Sequence, residues 1–492
     1  MQGVEHVSDA PGRIFVTAVA ARSADEAAPG RPGRPTGDAP TRHGPDVPAE
    51  PSERNTGMSA PTSASTDASA SSASPPEHVL VVGTGRDFPA RLRAALPGTR
   101  TTVMCQLDYL DKVQEPGANA RVVGVRGDAP DEEWIALAAA AHAVDPFTRI
   151  GTFGERDQGR YAVVAEALGL PAHSPQTVTL VHDKAAMRVR LAERGVDTTA
   201  SARVDDLAAL RAFVRSVGGP CVVKPVSSSG SAGVTKVSGG SELTEAFELA
   251  AGSYMGLSSA GVLVEEFLTG PQFSVEAFSE GGEHVMIAVT RKYSDPATFV
   301  ELGHVSPADV PADTRAGIEA YVAAVLDAVG IEFGPSHTEV VLTPAGPRVI
   351  ETHVRMGGDM IPTLALEATG VDIDDCAARQ TLGEKVLPGI RARLAEGSGQ
   401  GCSAIWFASV AAPGTLEEVV GLEEARALPG VTEVEPTARP GTQVGALASS
   451  ESRVAYARAL APTEGEAVRA AKAAATALEF RLRVRTPDIE TV

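Results

Sequence analysis

The sequence predicts a mixed α/β and α+β fold of about three domains, preceded by a disordered tail. Its 492 residues suffice for about three domains of ordinary size, and 43% of them are apolar, which allows a large core. Short apolar strands alternate with helices from His78 onward, as is typical of a parallel-sheet domain. Two strand-like stretches flank a Pro/Gly-rich turn between Ser336 and Met356, which indicates an antiparallel hairpin.

The first part of the chain has an unusual composition. Residues 1–76 are rich in Pro, Gly, Ala, Ser and Thr and carry no long apolar residues at a regular spacing. Such a segment cannot bury a core, so we expect it to be disordered. Met58 opens a Ser/Ala/Thr stretch and is a second candidate for the start of the native protein.

Charge and cysteine content narrow the function classes. Lys and Arg number 43 against 63 Asp and Glu, and the net charge of −20 argues against a nucleic-acid partner. The four cysteines are scattered, so we expect neither a disulfide framework nor a zinc site, and a cytoplasmic location fits. No apolar run approaches the length of about 18 residues that a membrane-spanning helix requires. The oligomeric state stays open, with a homodimer among the alternatives.

Elements of the first domain follow from composition. Residues 79–82 and 122–125 are predicted strands and residues 162–168 a predicted helix, in a domain that ends near residue 172. Gly83-Thr84-Gly85 follows the first strand, but without a third glycine it indicates a plain α/β turn rather than a dinucleotide site.

Later elements have clear start signals. Asp183 is a good N-cap for a helix that ends at Gly195. Thr463 and Glu466 have the capping-box spacing of a C-terminal helix. The other predicted elements are a helix over 207–214 and strands over 221–223, 262–266 and 273–278.

Two glutamates in the hairpin are expected to face each other. A turn centred on Ala345 places Glu339 opposite Glu351, where Cβ atoms lie ~4.5–5.5 Å apart and like charges destabilise the pair. A cation, a proton or a different strand register would resolve this repulsion. A divalent cation is the natural solution, and carboxylate ligation favours Mg²⁺. The alternative is a solvated strand face on which both glutamates point into water.

Alternation along the second strand separates a polar face from an apolar one. Glu351, His353 and Arg355 share the polar face because strand side chains alternate in direction. We expect the opposite face to pack in the core. It carries Ile350, Thr352 and Val354.

A small-residue loop after a strand is a candidate phosphate site. Residues 227–233 follow the strand that ends at Lys224, and their small side chains let backbone N–H groups approach phosphate oxygens. The loop lacks the Gly-Lys-Ser/Thr of a Walker A sequence, and a flexible surface loop is the alternative. Lys224, this loop, Glu265-Glu266 and the glutamate pair follow one another in that order along the chain, and this combination favours a nucleotide site.

This ordered set resembles the ATP-grasp superfamily, and most closely its L-amino-acid ligase type of carboxylate–amine ligase. The sequence is similar to carnosine synthase too. The resemblance covers roughly residues 77–450 and is strongest over 180–372. It implies an ATP-grasp fold with a pre-ATP-grasp domain over 77–172, an ATP-grasp domain over 173–385 with its lid at about 195–268, and a C-terminal α+β domain over 386–492. The stretches that carry it are 183–184, 223–225, 229–234, 264–270, 299–304, 334–339 and 351–359.

The resemblance also implies the nucleotide contacts. Lys184 and Lys224 would contact ATP phosphates or the adenine pocket, and Gln272 stands where the family usually has a ribose-binding glutamate. The loop residues implied to close over the phosphates are Ser229, Gly230, Ser231 and Gly233. The residues implied to border the adenine are Glu265, Glu266, Phe267 and Leu268.

By the same resemblance, Glu339 and Glu351 bind Mg²⁺, with Mn²⁺ as an alternative. His353 stands where many relatives have a metal-binding asparagine, although Mg²⁺ prefers oxygen ligands. Arg355 would hold the substrate carboxylate and then the oxyanion that forms from it.

Glu301 and His304 match residues that lie near the amine substrate, and either would orient or deprotonate it. Gly357-Gly358-Asp359 is expected to border the acyl-substrate pocket, with Asp359 able to pair with a cationic group.

The implied activity is ATP-dependent joining of two amino acids through an acyl phosphate, with release of ADP and phosphate. One alternative is another ATP-grasp ligase or carboxylase that acts on a different carboxylate. A second alternative is a non-catalytic nucleotide-binding protein, against which the presence of Lys184, Lys224, Glu339, Glu351 and Arg355 together argues.

Overall fold

The computed structural model describes residues 13–17, 76–227, 230–254, 257–258, 261–397, 399 and 401–483. Most of the tail predicted to be disordered, residues 1–76, lies outside these ranges, and that prediction is not tested there. The exception is strand β1 (Arg13–Thr17), which pairs antiparallel with the last strand of the chain. Within the described ranges, no helix is both long and apolar enough to cross a membrane.

Residues 78–152 contain a four-stranded parallel sheet, as the sequence predicts. Its strands are β2 (His78–Val82), β3 (Arg100–Gln106), β4 (Arg121–Val125) and β5 (Arg149–Thr152), in the order β4–β3–β2–β5. Its helices are α1 (Phe88–Ala95), α2 (Asp131–Val144) and α3 (Gln158–Leu168). All of β2 is buried because both sheet faces are covered.

Two capped helices lead from this sheet to the next part of the chain. They are α4 (Pro175–His182) and α5 (Lys184–Glu193). The Asp183 carboxylate accepts a hydrogen bond of 2.8 Å from the backbone N–H of Ala186, which confirms the predicted cap. The cap fixes Lys184 as the first residue of α5.

A second sheet is antiparallel and covers one side of the main cavity. Its strands are β6 (Ser201–Val204), β7 (Cys221–Pro225), β8 (Thr235–Val237) and β11 (Val262–Glu266), in the order β6–β11–β7–β8. Helices α6 (Leu207–Val217) and α7 (Glu242–Ala251) pack on it, and a two-stranded ribbon consists of β9 (Ser253–Tyr254) and β10 (Leu257–Ser258).

The largest sheet has eight strands and continues across residue 385, the predicted end of the central domain. Its strands are β12 (Gln272–Glu280), β13 (Glu283–Ser294), β14 (Glu301–Ser306), β15 (Phe333–Thr343), β16 (Gly346–His353), β17 (Cys402–Ser409), β19 (Val431–Pro436) and β21 (Arg453–Ala461). Their order is β16–β15–β12–β13–β14–β17–β21–β19. The domain boundaries themselves stay predictions.

The remaining elements surround this sheet. The helices are α8 (Ala312–Val329), α9 (Ile361–Thr369), α10 (Ile373–Thr381), α11 (Leu387–Glu396), α12 (Leu422–Arg426) and α13 (Glu464–Thr476). Thr463 caps α13 as predicted. The last strands, β18 (Gly414–Val420), β20 (Gln443–Val444) and β22 (Glu479–Arg483), form an antiparallel sheet with β1.

The β15–β16 hairpin has the predicted partners but a different centre. Thr343 pairs with Gly346, so the turn consists of two residues, and this spacing alone would place Glu339 opposite Ile350. A β-bulge leaves Ile350 without a partner and restores the pairing of Glu339 with Glu351. The expectation that Ile350 packs on the core face is therefore wrong, since Ile350 lines the main cavity.

Two glycine substitutions test the close packing of β14 against β17. A Cβ atom at Gly303 would lie 2.5 Å from Cε3 of Trp406 and 2.6 Å from the carbonyl oxygen of Ile405. We expect Gly303→Ala to lower the free energy of unfolding by about 1–3 kcal/mol, measured by urea denaturation. Gly317→Ala in α8 meets no neighbour and should raise it by about 0.5–1 kcal/mol. Equal stability of the two variants would contradict this packing.

Candidate active site

A cavity of about 300 Å³ lies where the second sheet faces strands β12 to β16. It brings together the residues that the sequence places far apart along the chain. Ser229 lies outside the described residues, and Gly233 packs against Pro225 instead of lining the cavity. The predicted site residues that line it are Lys184, Lys224, Gly230, Ser231, Glu265, Glu266, Phe267, Leu268, Gln272, Glu301, His304, Glu339, Glu351, His353 and Arg355.

Glu339 and Glu351 are each paired with a lysine. Nζ of Lys184 lies 3.0 Å from Oε2 of Glu351, and Nζ of Lys292 contacts Glu339 and lies 3.3 Å from Oε1 of Glu301. Burial would raise the pKa of Glu339, but Lys292 lowers it to about 2. Burial acts on Glu351 likewise, yet Lys184 holds its pKa well below the usual range. Both side chains are therefore carboxylates at neutral pH.

This donor set fits a hard divalent cation. Two ionised carboxylates on neighbouring strands are the usual protein contribution to a Mg²⁺ site that is completed by phosphate and water oxygens. No group of three or more His, Cys, Asp or Glu in the described part of the chain has an arrangement that would hold a metal ion by itself.

His353 stands between two carboxylates. Its Nε2 lies 3.2 Å from Oε1 of Glu351, and its Nδ1 lies 3.4 Å from Oε1 of Glu155. Burial would lower the pKa of His353, but Glu351 raises it. Both ring nitrogens thus face carboxylate oxygens, although Nδ1 makes no hydrogen bond within the described residues, and the role of His353 as a metal ligand stays a prediction.

A buried ion-pair cluster fixes Lys224. Its Nζ lies 2.6 Å from Oε2 of Glu265, whose Oε1 accepts a hydrogen bond of 2.5 Å from Nε of Arg188. Burial would raise the pKa of Glu265, but Arg188 and Lys224 lower it to about 2. Sequence reasoning missed Arg188, although it lies four residues after Lys184 and thus on the same face of α5.

Arg355 is held by a residue of the first domain. Its Nε donates a hydrogen bond of 2.7 Å to Oε2 of Glu155, and its Nη1 donates one of 2.8 Å to the carbonyl of Met356. Glu155 follows β5 and was not identified from the sequence, because no local pattern distinguishes it from the acidic residues around it.

Three further residues of the site were also missed. Lys292 lies on β13 without any local motif, and its importance follows from the register that places it beside the glutamates. His337 lines the cavity, and its Nδ1 lies 2.5 Å from Oε1 of Glu276. Burial would lower the pKa of His337, but Glu276 raises it to about 9. Glu276 also accepts a hydrogen bond of 3.0 Å from the N–H of Gly357.

The predicted amine-site residues contact the C-terminal part of the chain. Oε2 of Glu301 accepts a hydrogen bond of 3.2 Å from Oγ of Ser450. Nε2 of His304 lies 3.0 Å from Oδ2 of Asp359. Asp359 pairs with Arg453 of the protein itself. Its expected pairing with a cationic group in the acyl-substrate pocket stays a prediction.

Family comparisons agree with this architecture. Residues 217–363 match the ATP-grasp domain, and residues 406–483 match the L-amino acid ligase C-terminal domain 2. The crystal structure of an L-amino acid ligase from Bacillus licheniformis superposes with a TM-score of 0.70 over 82% of this chain and 98% of that one. At 23% identity, this similarity establishes the shared fold.

Sequence relatives match a part of their own length. The uncharacterized protein y4rH of Sinorhizobium fredii is 31% identical over 312 residues, which are 62% of this chain and 63% of the relative. Alanine–anticapsin ligase of Bacillus subtilis is 28% identical over 273 residues, which are 50% of this chain and 56% of the relative. In both comparisons, the matched region therefore spans less than two thirds of this chain and less than two thirds of the relative.

Lys292→Met tests the charge balance of the glutamate pair. Removal of one partner from a buried ion pair costs about 3–5 kcal/mol, so we expect a lower melting temperature without metal. Mg²⁺ with ADP should raise the melting temperature more in this variant than in the unmodified protein, because the ion then supplies the missing positive charge. Lys385→Met, at an exposed lysine 3.6 Å from Glu280, is the control. An unchanged response to Mg²⁺ would contradict this balance.

Proposed function

Because the chain carries an ATP-grasp domain joined to an L-amino acid ligase C-terminal domain, we propose that it is an ATP-dependent carboxylate–amine ligase that joins amino acids. The observation that carries the proposal is the single cavity that holds Lys184, Lys224, the Glu339/Glu351 pair and Arg355. These groups supply cations for phosphates, carboxylates for Mg²⁺, and a guanidinium for a substrate carboxylate.

The nucleotide would lie between the second sheet and the hairpin. Lys224, fixed by Glu265, and Lys184 would bind phosphate oxygens, and the backbone at residues 265–268 would border the base. Ile350, which the bulge turns into the cavity, adds an apolar contact for a flat ring. Bound Mg²⁺ would neutralise charge on the transferred phosphoryl group.

The two substrates would lie on the other side of the phosphates. Arg355 would hold the carboxylate that accepts the γ-phosphoryl group and later stabilise the oxyanion of the tetrahedral intermediate. Glu301 and His304, which line the same cavity, would bind the amine that displaces phosphate. The products would be an amide, ADP and phosphate.

The direct assay supplies purified protein with ATP, Mg²⁺ and pairs of amino acids, and follows ADP and phosphate release. We expect release that depends on an amino acid, with hydroxylamine trapping an acyl phosphate as a hydroxamate. A lack of amino-acid-dependent ADP with every pair would refute the ligase proposal. ADP release that needs bicarbonate or another non-amino-acid carboxylate would instead support a different ATP-grasp reaction.

Neutral replacements test the metal assignment. We expect Glu339→Gln and Glu351→Gln each to lower turnover by about 100-fold or more. Glutamine has nearly the same shape as glutamate but offers no anionic oxygen to Mg²⁺. The matched control is Glu283→Gln, at an exposed glutamate of β13 that contacts Arg391 outside the cavity. Full activity of either cavity variant would remove the carboxylate pair from the mechanism.

A further inference from the structure

Asp359 has an unusual backbone conformation at the edge of the cavity. Its φ angle is +52° and that of Met360 is +60°, in the left-handed region that residues other than glycine seldom adopt. Such conformations persist where the surrounding structure holds them, and they cluster at functional sites. The contacts of the Asp359 side chain explain what holds this one.

Arg453 binds both oxygens of Asp359. Its Nη1 donates a hydrogen bond of 2.7 Å to Oδ2, and its Nη2 donates one of 2.6 Å to Oδ1. The guanidinium carbon lies 3.8 Å from the ring centroid of Phe407, and Nε donates to the carbonyl of Ser450 at 2.8 Å. A planar guanidinium held by these contacts has little freedom to rotate.

His304 is bound on one ring nitrogen, and the other has no hydrogen-bond partner within the described part of the chain. Its Nε2 lies 3.0 Å from Oδ2 of Asp359, and the residue is 2% exposed. Its Nδ1 is buried and has no hydrogen-bond partner among the described residues. A buried polar atom without a partner is costly, so a native structure that keeps one calls for an explanation.

The charge of Asp359 decides which nitrogen of His304 carries the proton. Burial would raise the pKa of Asp359, but the hydrogen bonds from His304 and Arg453 lower it below its usual range. The side chain is therefore a carboxylate, which only accepts hydrogen bonds. In the neutral ring, Nε2 must then donate to Asp359, and Nδ1 is left as the acceptor.

We propose that Arg453 and Asp359 are positioning residues that hold His304 with Nε2 protonated, so that Nδ1 accepts a proton from the amine substrate. This inference rests on the proposed ligase function. Asp359 is then unavailable to a cationic substrate side chain, because both of its oxygens are taken by Arg453 and one of them also by His304.

The proton balance of the step is simple. The substrate ammonium gives one proton to Nδ1 of His304 and becomes a neutral amine. Its nitrogen attacks the carbonyl carbon of the acyl phosphate, and the C–N bond forms. The C–O bond to phosphate breaks as the tetrahedral intermediate collapses. The second nitrogen proton leaves with the phosphate as hydrogen phosphate, and His304 later returns its proton to water.

Two nucleophiles separate this role from a structural one. Hydroxylamine is largely unprotonated at neutral pH, so it needs no deprotonation before it attacks the acyl phosphate, whereas an amino-acid ammonium does. We expect Asp359→Asn to retain hydroxamate formation and to lose about 100-fold in amide formation, in kcat more than in KM. Asparagine readily adopts the left-handed conformation, so the backbone is preserved.

Arginine variants extend the test. Arg453→Lys keeps one charge and should lie between the unmodified protein and Arg453→Gln in its amide-to-hydroxamate ratio. Arg458→Gln is the matched control, because Arg458 lies on the same strand, is similarly buried and pairs with Glu433 at 3.0 Å. It should leave the ratio unchanged. An equal loss with both nucleophiles in Asp359→Asn would overturn the proposal.

A measurement without turnover keeps this inference separate from the ligase proposal. In protein with ¹⁵N-labelled histidine, the His304 signals are those absent from His304→Gln. At a pH at which the His304 ring is neutral, we expect the unmodified protein to carry the proton on Nε2 and not on Nδ1, and Asp359→Asn to have a mixture of the two forms. A protonated Nδ1 with a bare Nε2 would refute the proposed orientation, whatever reaction the protein catalyses.

Discussion

The cavity depends on the balance of charge around two facing glutamates. Glu339 and Glu351 are paired across neighbouring strands and repel each other, and the fold supplies Lys292 from β13 and Lys184 from α5 to offset that repulsion. Each lysine is nearly buried, so the attraction is little screened by water. The hairpin, strand β13 and helix α5 must therefore all be in place before the site is stable.

The other ion pairs extend the same principle outward. Glu265 joins Lys224 to Arg188, Glu155 holds Arg355, and Asp359 holds His304. In each case a carboxylate fixes a side chain that faces the cavity. Partners drawn from separate parts of the chain keep these long side chains in one geometry, as the proposed ligase reaction would require.

Local signals such as caps, turns and strand alternation predicted part of the strands and helices, among them β2, α5 and the β15–β16 hairpin, whereas most of the cavity residues were implied by the family resemblance. The pairing of Glu339 with Glu351 was predicted from a turn centred on Ala345, whereas the real turn is shorter and a bulge at Ile350 compensates. No local sequence pattern around Ile350 indicates that bulge. Lys292, Glu155 and Arg453 were missed for the same reason, since their roles arise from contacts between distant segments.

The pairing of β14 with β17 has a consequence for the independence of the C-terminal region. Backbone hydrogen bonds join Gly303 to Trp406 and His304 to Ile405, so one sheet contains both the cavity strands and the last part of the chain. A fragment that ends before residue 402 would expose β14 as a bare edge, ready to pair with other chains and aggregate. The cavity strands therefore do not form a module that could be moved to another protein without the C-terminal region.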